Sequence, residues 1–179
     1  MTEAFTALYI ATLPEIYTAA EYKWELHGQW WPLRIGERAH ALDEAFPDAA
    51  RFGMLTASNP GFLIRTDTEN RAADLSLQRE LERLQLQHRP GFAVAQNRAW
   101  KAYNWLVIDP DEATFDALGL QFGQIGTLFW PRGTAVRLRM RATRPETLAE
   151  RPDIDWVGVA ASSPIDAIDS ISAISAANP

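Results

Sequence analysis

The stretch Arg51–Glu69, RFGMLTASNPGFLIRTDTE, constrains the fold most. Arg51 to Ala57 predicts a short, mostly apolar strand that halts on Ser58-Asn59-Pro60-Gly61. A hairpin needs about two to five residues to turn. Here a rigid corner and a polar loop precede a helix instead. Thr66-Asp67-Thr68-Glu69 has the capping-box pattern, with Thr66 as N-cap and Glu69 reaching back, and Ala73, Leu77, Leu81 and Leu84 form an apolar stripe at helical spacing. Sheet and helix must therefore pack together in one unit.

Around this unit the chain alternates between strands and helices. Tyr22–Leu26 and Pro32–Ile35 read as an edge hairpin or bent strand, with Gly28 and Trp30-Trp31 between them. Gly36 to Phe46 has Ala39, Leu42 and Phe46 at helical spacing, and Pro47 follows. Pro90-Gly91 is expected to close the Thr66 helix, and Phe92–Asn97 and Trp100–Asp109 then predict two strands. Asp109-Pro110-Asp111 starts a third helix carrying Phe115, Leu118 and Phe122 that ends near Gly123. Ile125–Trp130 and Thr134–Met140 predict a hairpin around Pro131-Arg132-Gly133. Strands in adjacent pairs as well as between helices point to an α+β domain over residues 1–141, a mixed or antiparallel sheet with about three helices packed on it. Beyond Arg141 the composition turns to Ala, Ser, Asp and Ile. Ile165, Ile168, Ile171 and Ile174 recur every three residues, short of a helical turn, so 142–179 is expected to be a flexible, partly disordered tail, with Ile154–Val159 offered as an added edge strand.

Pro60-Gly61 suits a type II turn, and the proline biases Asn59 toward extended backbone. Thr56, Ser58 and Asn59 then emerge from a stiff strand end, close to the free N–H groups of a helix N-terminus flanked by Arg65. Stepping seven residues back from Leu77 puts Asn70 on the apolar stripe, where an amide needs partners; the loop backbone and a ligand are both open. Gln124 sits between Gly123 and Gly126, as a loop-bonding residue after a glycine C-cap or as a ligand contact. The spacing Gly119, Gly123, Gly126 follows a helix and lacks a Lys-Ser/Thr pair, which excludes a phosphate-loop reading.

Thr56-Ala57-x-Asn59-Pro60, Glu69-Asn70 and Phe122-Gly123-Gln124, in that order, resemble the bacterial domain of unknown function 3293 family over roughly Tyr22 to Met140. The resemblance implies a compact bacterial domain and no particular activity. The family's pattern has Trp-x-Glu on the strand before the third helix and Asn after Phe-Gly-Gln. This chain has Trp100-Lys101-Ala102 and Ile125 there, so any acid or base role of that Glu would be absent.

A net charge of -6 opposes non-specific attraction to nucleic acid or anionic membrane, so neither nucleic acid nor membrane is expected as a partner. The absence of Cys excludes thiolate chemistry, disulfides and Cys-ligated metal. His27, His40 and His88 show no metal spacing, no catalytic motif is recognisable, and no cofactor or metal is expected. The first residues lack the basic start and apolar run of a signal peptide or membrane span, so a cytoplasmic location is expected. Arg137, Arg139 and Arg141 alternate along a strand and share one face, which suits edge protection, internal ion pairs, or an acidic partner or anionic ligand. Trp24, Trp30 and Trp31 suit core packing or stacking on an aromatic ligand. The functional expectation is a site for a small polar or anionic, nucleotide-like metabolite built from Thr56, Ser58, Asn59, Arg65, Glu69, Asn70 and Gln124. The alternative is a protein-interaction module of immunity, antitoxin or adaptor type; oligomeric state is left open.

Overall fold

A computed structural model describes residues 2–158. Its elements are α1 (Thr2–Ala19), β1 (Glu21–Leu26), β2 (Gln29–Leu33), α2 (His40–Ala45), β3 (Arg51–Leu55), a 3-10 turn (Pro60–Phe62), α3 (Asp67–Arg83), β4 (His88–Val94), β5 (Lys101–Ile108), α4 (Glu112–Gln121), β6 (Gly126–Pro131), β7 (Leu138–Met140) and β8 (Ile154–Trp156). The strands form one sheet in the order β2-β1-β4-β5-β3-β6-β7-β8. Each pairing is antiparallel except β7 with β8, which is parallel. The sheet is mixed and the fold is α+β, as the order of elements predicts.

Strand periodicity gives this sheet two cores. Tyr22, Trp24, Phe52, Met54, Leu106, Trp130, Leu138 and Met140 lie on one face, packed with Leu13 of α1 and Leu42 of α2. Leu55, Val107 and Phe129 lie on the other, packed with Leu77 and Leu81 of α3 and Phe115 and Leu118 of α4. Where the paired register continues on this second face, Lys23 lies opposite Phe92 and Phe92 opposite Tyr103. Among the described residues the core residues of α3 and α4 do not extend over that end, where Trp30 and Tyr103 are exposed, Lys23 and Phe92 half-buried and Val94 buried.

Several expectations need correction. The N-terminal residues, where no element is expected, form α1, so four helices pack on the sheet. The first turn is His27-Gly28, with φ 52 and 81, and Trp30-Trp31 belong to β2. The second helix starts only at His40, because residues before it are drawn onto the β6–β7 connection: Gly36 N–H donates to Val136 O at 2.8 Å, and Arg38 bridges Ala135. Pro90-Gly91 do not close α3; Gln85 does, with φ 55 just beyond the helix end. Pro90 fits within β4 because β1 pairs only with Gly91–Val94, so on that side no partner needs the missing N–H. The hairpin return is strand only from Leu138. The sheet continues past Arg141 to β8, a true edge at Ile154–Trp156. The expectations for the Ile-rich segment lie outside the described residues.

Candidate functional site

The strand end, the bend and the start of α3 close into a clamp. Thr56 Oγ1 donates to Tyr103 O at 2.6 Å and accepts the Ser58 N–H at 3.0 Å. Asn59 adopts left-handed backbone, φ 47 and ψ 55, rather than the extended form its proline favours. Asn tolerates that region better than most residues, and its partners hold it there. Its N–H donates to Asn70 Oδ1 at 2.9 Å, while its own Oδ1 accepts the Arg65 N–H at 2.9 Å and Asn70 Nδ2 at 3.0 Å. Asn70 Nδ2 also donates to Arg65 O at 3.3 Å. Both of the Asn70 amide hydrogens and its oxygen are therefore engaged by the loop.

The capping box forms as the sequence predicts. Glu69 Oε2 accepts the Thr66 N–H at 2.8 Å and the Thr66 hydroxyl at 2.7 Å, and Thr66 Oγ1 accepts the Glu69 N–H at 3.3 Å. Those Thr66 side-chain and backbone bonds hold the Glu69 carboxyl below its usual range. Arg65 is exposed and has no ion pair among the described residues.

The bend docks on the end of α4. Gly61 N–H donates to Gly123 O at 2.9 Å, and Gly61 has the positive φ, 56, expected of it. A Cβ on Gly123 would stand 2.7 Å from Pro60 Cβ, and its φ of 64 suits glycine, so only glycine fits this junction comfortably. Buried Gln124 donates through Nε2 to Ser58 O at 3.2 Å and to Phe122 O at 3.0 Å. Thr56, Ser58, Asn59, Arg65, Glu69, Asn70 and Gln124 are thus brought together, with the Thr56 hydroxyl, the Asn70 amide, Asn59 Oδ1 and Gln124 Nε2 bonded within the group.

The arginine strand resolves in the same way. Arg139 donates to Asp116 Oδ1 at 2.8 Å and Oδ2 at 2.6 Å and to Glu112 Oε1 at 2.7 Å, and Arg141 to Asp116 Oδ1 at 2.8 Å. Arg137 pairs with Asp155 on β8. Of the three readings, internal pairing is the one seen, and β7 is not an edge. Burial raises the Asp116 pKa, but the Arg139 hydrogen bonds and the charges of Arg141 and Arg139 outweigh it and leave the carboxyl below its ordinary range. Burial lowers the pKa of Arg141, whose guanidinium lies against Gly119, where a Cβ would come within 2.3 Å.

The end of the face beyond α3 and α4 has different chemistry, and it carries residues that the sequence did not single out. Tyr103 is 53% exposed and Trp30 45%. The Trp30 and Phe92 rings are 4.9 Å apart, and Lys101 Nζ stands 4.6 Å from the Phe92 centroid and 5.4 Å from that of Tyr103. Lys23, between β2 and Phe92, also lines a cleft of about 550 Å³ with Glu21, Pro32, Arg34 and Gln96. Lys23 and Lys101 are the only lysines among 17 basic residues. The three tryptophans considered together separate: Trp24 is in the core, Trp31 packs against it, and Trp30 lies on the opposite face. The overlooked signal was strand phase. Lys23 and Phe92 alternate with the buried Trp24 and Ala93, so the aromatic ring shares a face with the cation.

These features define an α+β sheet domain with helices on both faces, a clamped strand end, and an open aromatic strip. Residues 55–126, from the end of β3 to the start of β6, match the family model described as a protein of unknown function (DUF3293). That span holds the clamp, α3, both strands of the Phe92–Tyr103 pair and α4. No curated protein and no solved structure matches the chain. Among the described residues no helix is long and apolar enough to cross a membrane.

Proposed function

We propose that this chain is a binding domain for ligands that combine a flat aromatic body with negative charge, taken up on the aromatic strip, with the Asn59–Asn70 clamp as its scaffold. One observation carries the reading: of the chain's two lysines, Lys101 stands against the half-buried Phe92 and exposed Tyr103 rings, Lys23 lies opposite Phe92 in the strand register, and neither has an ion pair among the described residues. A planar body stacks on Tyr103 or against the Trp30–Phe92 pair while its charge meets the ammonium groups. This keeps the nucleotide-like ligand class and moves the contact from Asn70 and Gln124 to the neighbouring strands.

Thermal shift and tryptophan fluorescence with AMP, UMP, the uncharged nucleosides and inorganic phosphate test it. At a hundred times its dissociation constant a ligand adds about 2.7 kcal/mol. The nucleotides should raise the midpoint, nucleosides and phosphate less, and Lys101→Gln should diminish the shift. A shift abolished by Arg65→Gln and untouched by Lys101→Gln would put the ligand at the clamp instead. No shift with any planar anion ends the reading.

A second reading, a protein-interaction module, draws on the loop before α3, where Ile64 is 94% exposed beside half-exposed Leu63. It requires a stoichiometric partner that co-purifies with the wild type and is lost from Ile64→Asp.

A further inference from the structure

We infer that the strip takes a single-stranded nucleic acid, two or three nucleotides crossing the strands, rather than a free nucleotide. The inference rests on the reading above and concerns the same surface.

The first ground is length. The row Pro32, Lys23, Phe92, Tyr103 crosses four adjacent strands. At about 4.8 Å per strand spacing it is roughly 14 Å long, more than one base covers. Openness is the second. Sites for small molecules typically enclose about 70–90% of the ligand surface, and a sheet face open to water does not. A polymer compensates, because each stacked unit raises the local concentration of the next.

The third ground separates a nucleic acid from a peptide. Extended peptides usually add to a sheet edge, and the edge strand at this end, β2, carries Pro32, which has no N–H to offer. Aromatic rings on the faces of neighbouring strands, with cations beside them, suit successive bases and a phosphate backbone.

Charge decides the form of the nucleic acid. With a net charge of -6 the chain repels the dense phosphates of a duplex; a short single strand held by stacking departs from the expectation that nucleic acid is no partner. Two lysines anchor a short single strand whose binding comes from stacking. Of the acidic groups on this face, Glu25 is tied to the Gly28 N–H in the β1–β2 turn, and Glu21 stands in the row of Val94 and Lys101.

The test is a fluorescence-anisotropy titration of the full chain with labelled ten-nucleotide oligo-dT, competed by thymidine monophosphate, by the oligo-dT/oligo-dA duplex and by a Glu/Tyr copolymer. Oligo-dT should bind at least about tenfold more tightly than the monophosphate, as linked contacts require. With two phosphates neutralised, raising salt from about 50 to 200 mM should weaken it about sevenfold. Loss of one stacked base in Tyr103→Ala should weaken it by about fivefold or more, in a variant that stays folded because the ring is half-exposed. Equal affinity for the monophosphate overturns the inference and leaves the binding reading standing. Absence of any nucleotide binding overturns both. A duplex that competes as well as the single strand, a much steeper salt dependence, or a copolymer that outcompetes oligo-dT each overturns the inference, the last in favour of a polypeptide partner.

Discussion

The two halves of one sheet face use polar residues in opposite ways. Where α3 and α4 cover β3, β5 and β6, the Asn70 amide, the Gln124 amide and the guanidinium groups of Arg139 and Arg141 each bond to other parts of the fold. Where that cover ends, Lys23 and Lys101 lie beside rings and form no ion pair among the described residues, although Glu21 and Glu25 share their face. The covered half holds the residues that looked functional in the sequence, yet a group whose donors and acceptors are already engaged has little left for a ligand. What remains unengaged is a better guide than which residue types are present.

The strongest way to break this contrast is Asp116→Ala. It strands Arg141, whose side chain is 5% exposed, and leaves Arg139 with Glu112 alone. Removing one partner of a buried pair costs about 3–5 kcal/mol, and the lower end is expected here because Glu112 and Thr127 Oγ1 still serve the arginines. Urea unfolding at neutral pH measures it. The pH dependence follows from the lowered Asp116 pKa. Its stabilisation is present in full above the unfolded value, about 4, and is lost as pH falls through the lower folded value. The gap between wild type and variant should therefore close on acidification below about pH 4. A constant gap would show that the ion pairs contribute nothing.

Asn70→Leu probes the scaffold more gently. It removes three hydrogen bonds at a partly exposed site, where water replaces some of what is lost, for about 1–2 kcal/mol. Nucleotide affinity on the strip should not change. A folded variant with lost affinity would return Asn70 to the site and undo the division between the halves.

How far the sequence could be read follows the same division between local and distant causes. The capping box, the Asp111 N-cap and the glycine at the bend are set within a few residues and were legible. The sequence groups the bend and Gln124 in one site; that Pro60-Gly61 packs directly on Gly123 comes from the structure. The left-handed turn at Asn59 was not, because three side-chain and backbone bonds made after folding override the proline's bias. Pro90-Gly91 read as helix punctuation because the sequence does not say that β1 stops pairing one residue short of the proline. The strip was hidden by its own composition. Phe92 and Tyr103 look like core residues, and only the register, together with the limited reach of α3 and α4, leaves them outside.

The finest test of the contrast uses a charge that touches neither core. Glu21 is exposed at the end of β1, opposite Val94, two strands from Lys101 and two residues from Lys23. It has no ion pair among the described residues, so Glu21→Gln should change stability by less than about 0.5 kcal/mol. A unit charge roughly 7–10 Å away in water is worth about 0.5 kcal/mol before screening, so affinity for an anionic ligand on the strip should rise about twofold. The gain should shrink as added salt shortens the Debye length from about 10 Å at 0.1 M. A ligand held at the Arg65 end of the clamp would show no selective response to this charge. An unchanged affinity at low salt would therefore move the site off the strip even if every larger variant behaved as expected.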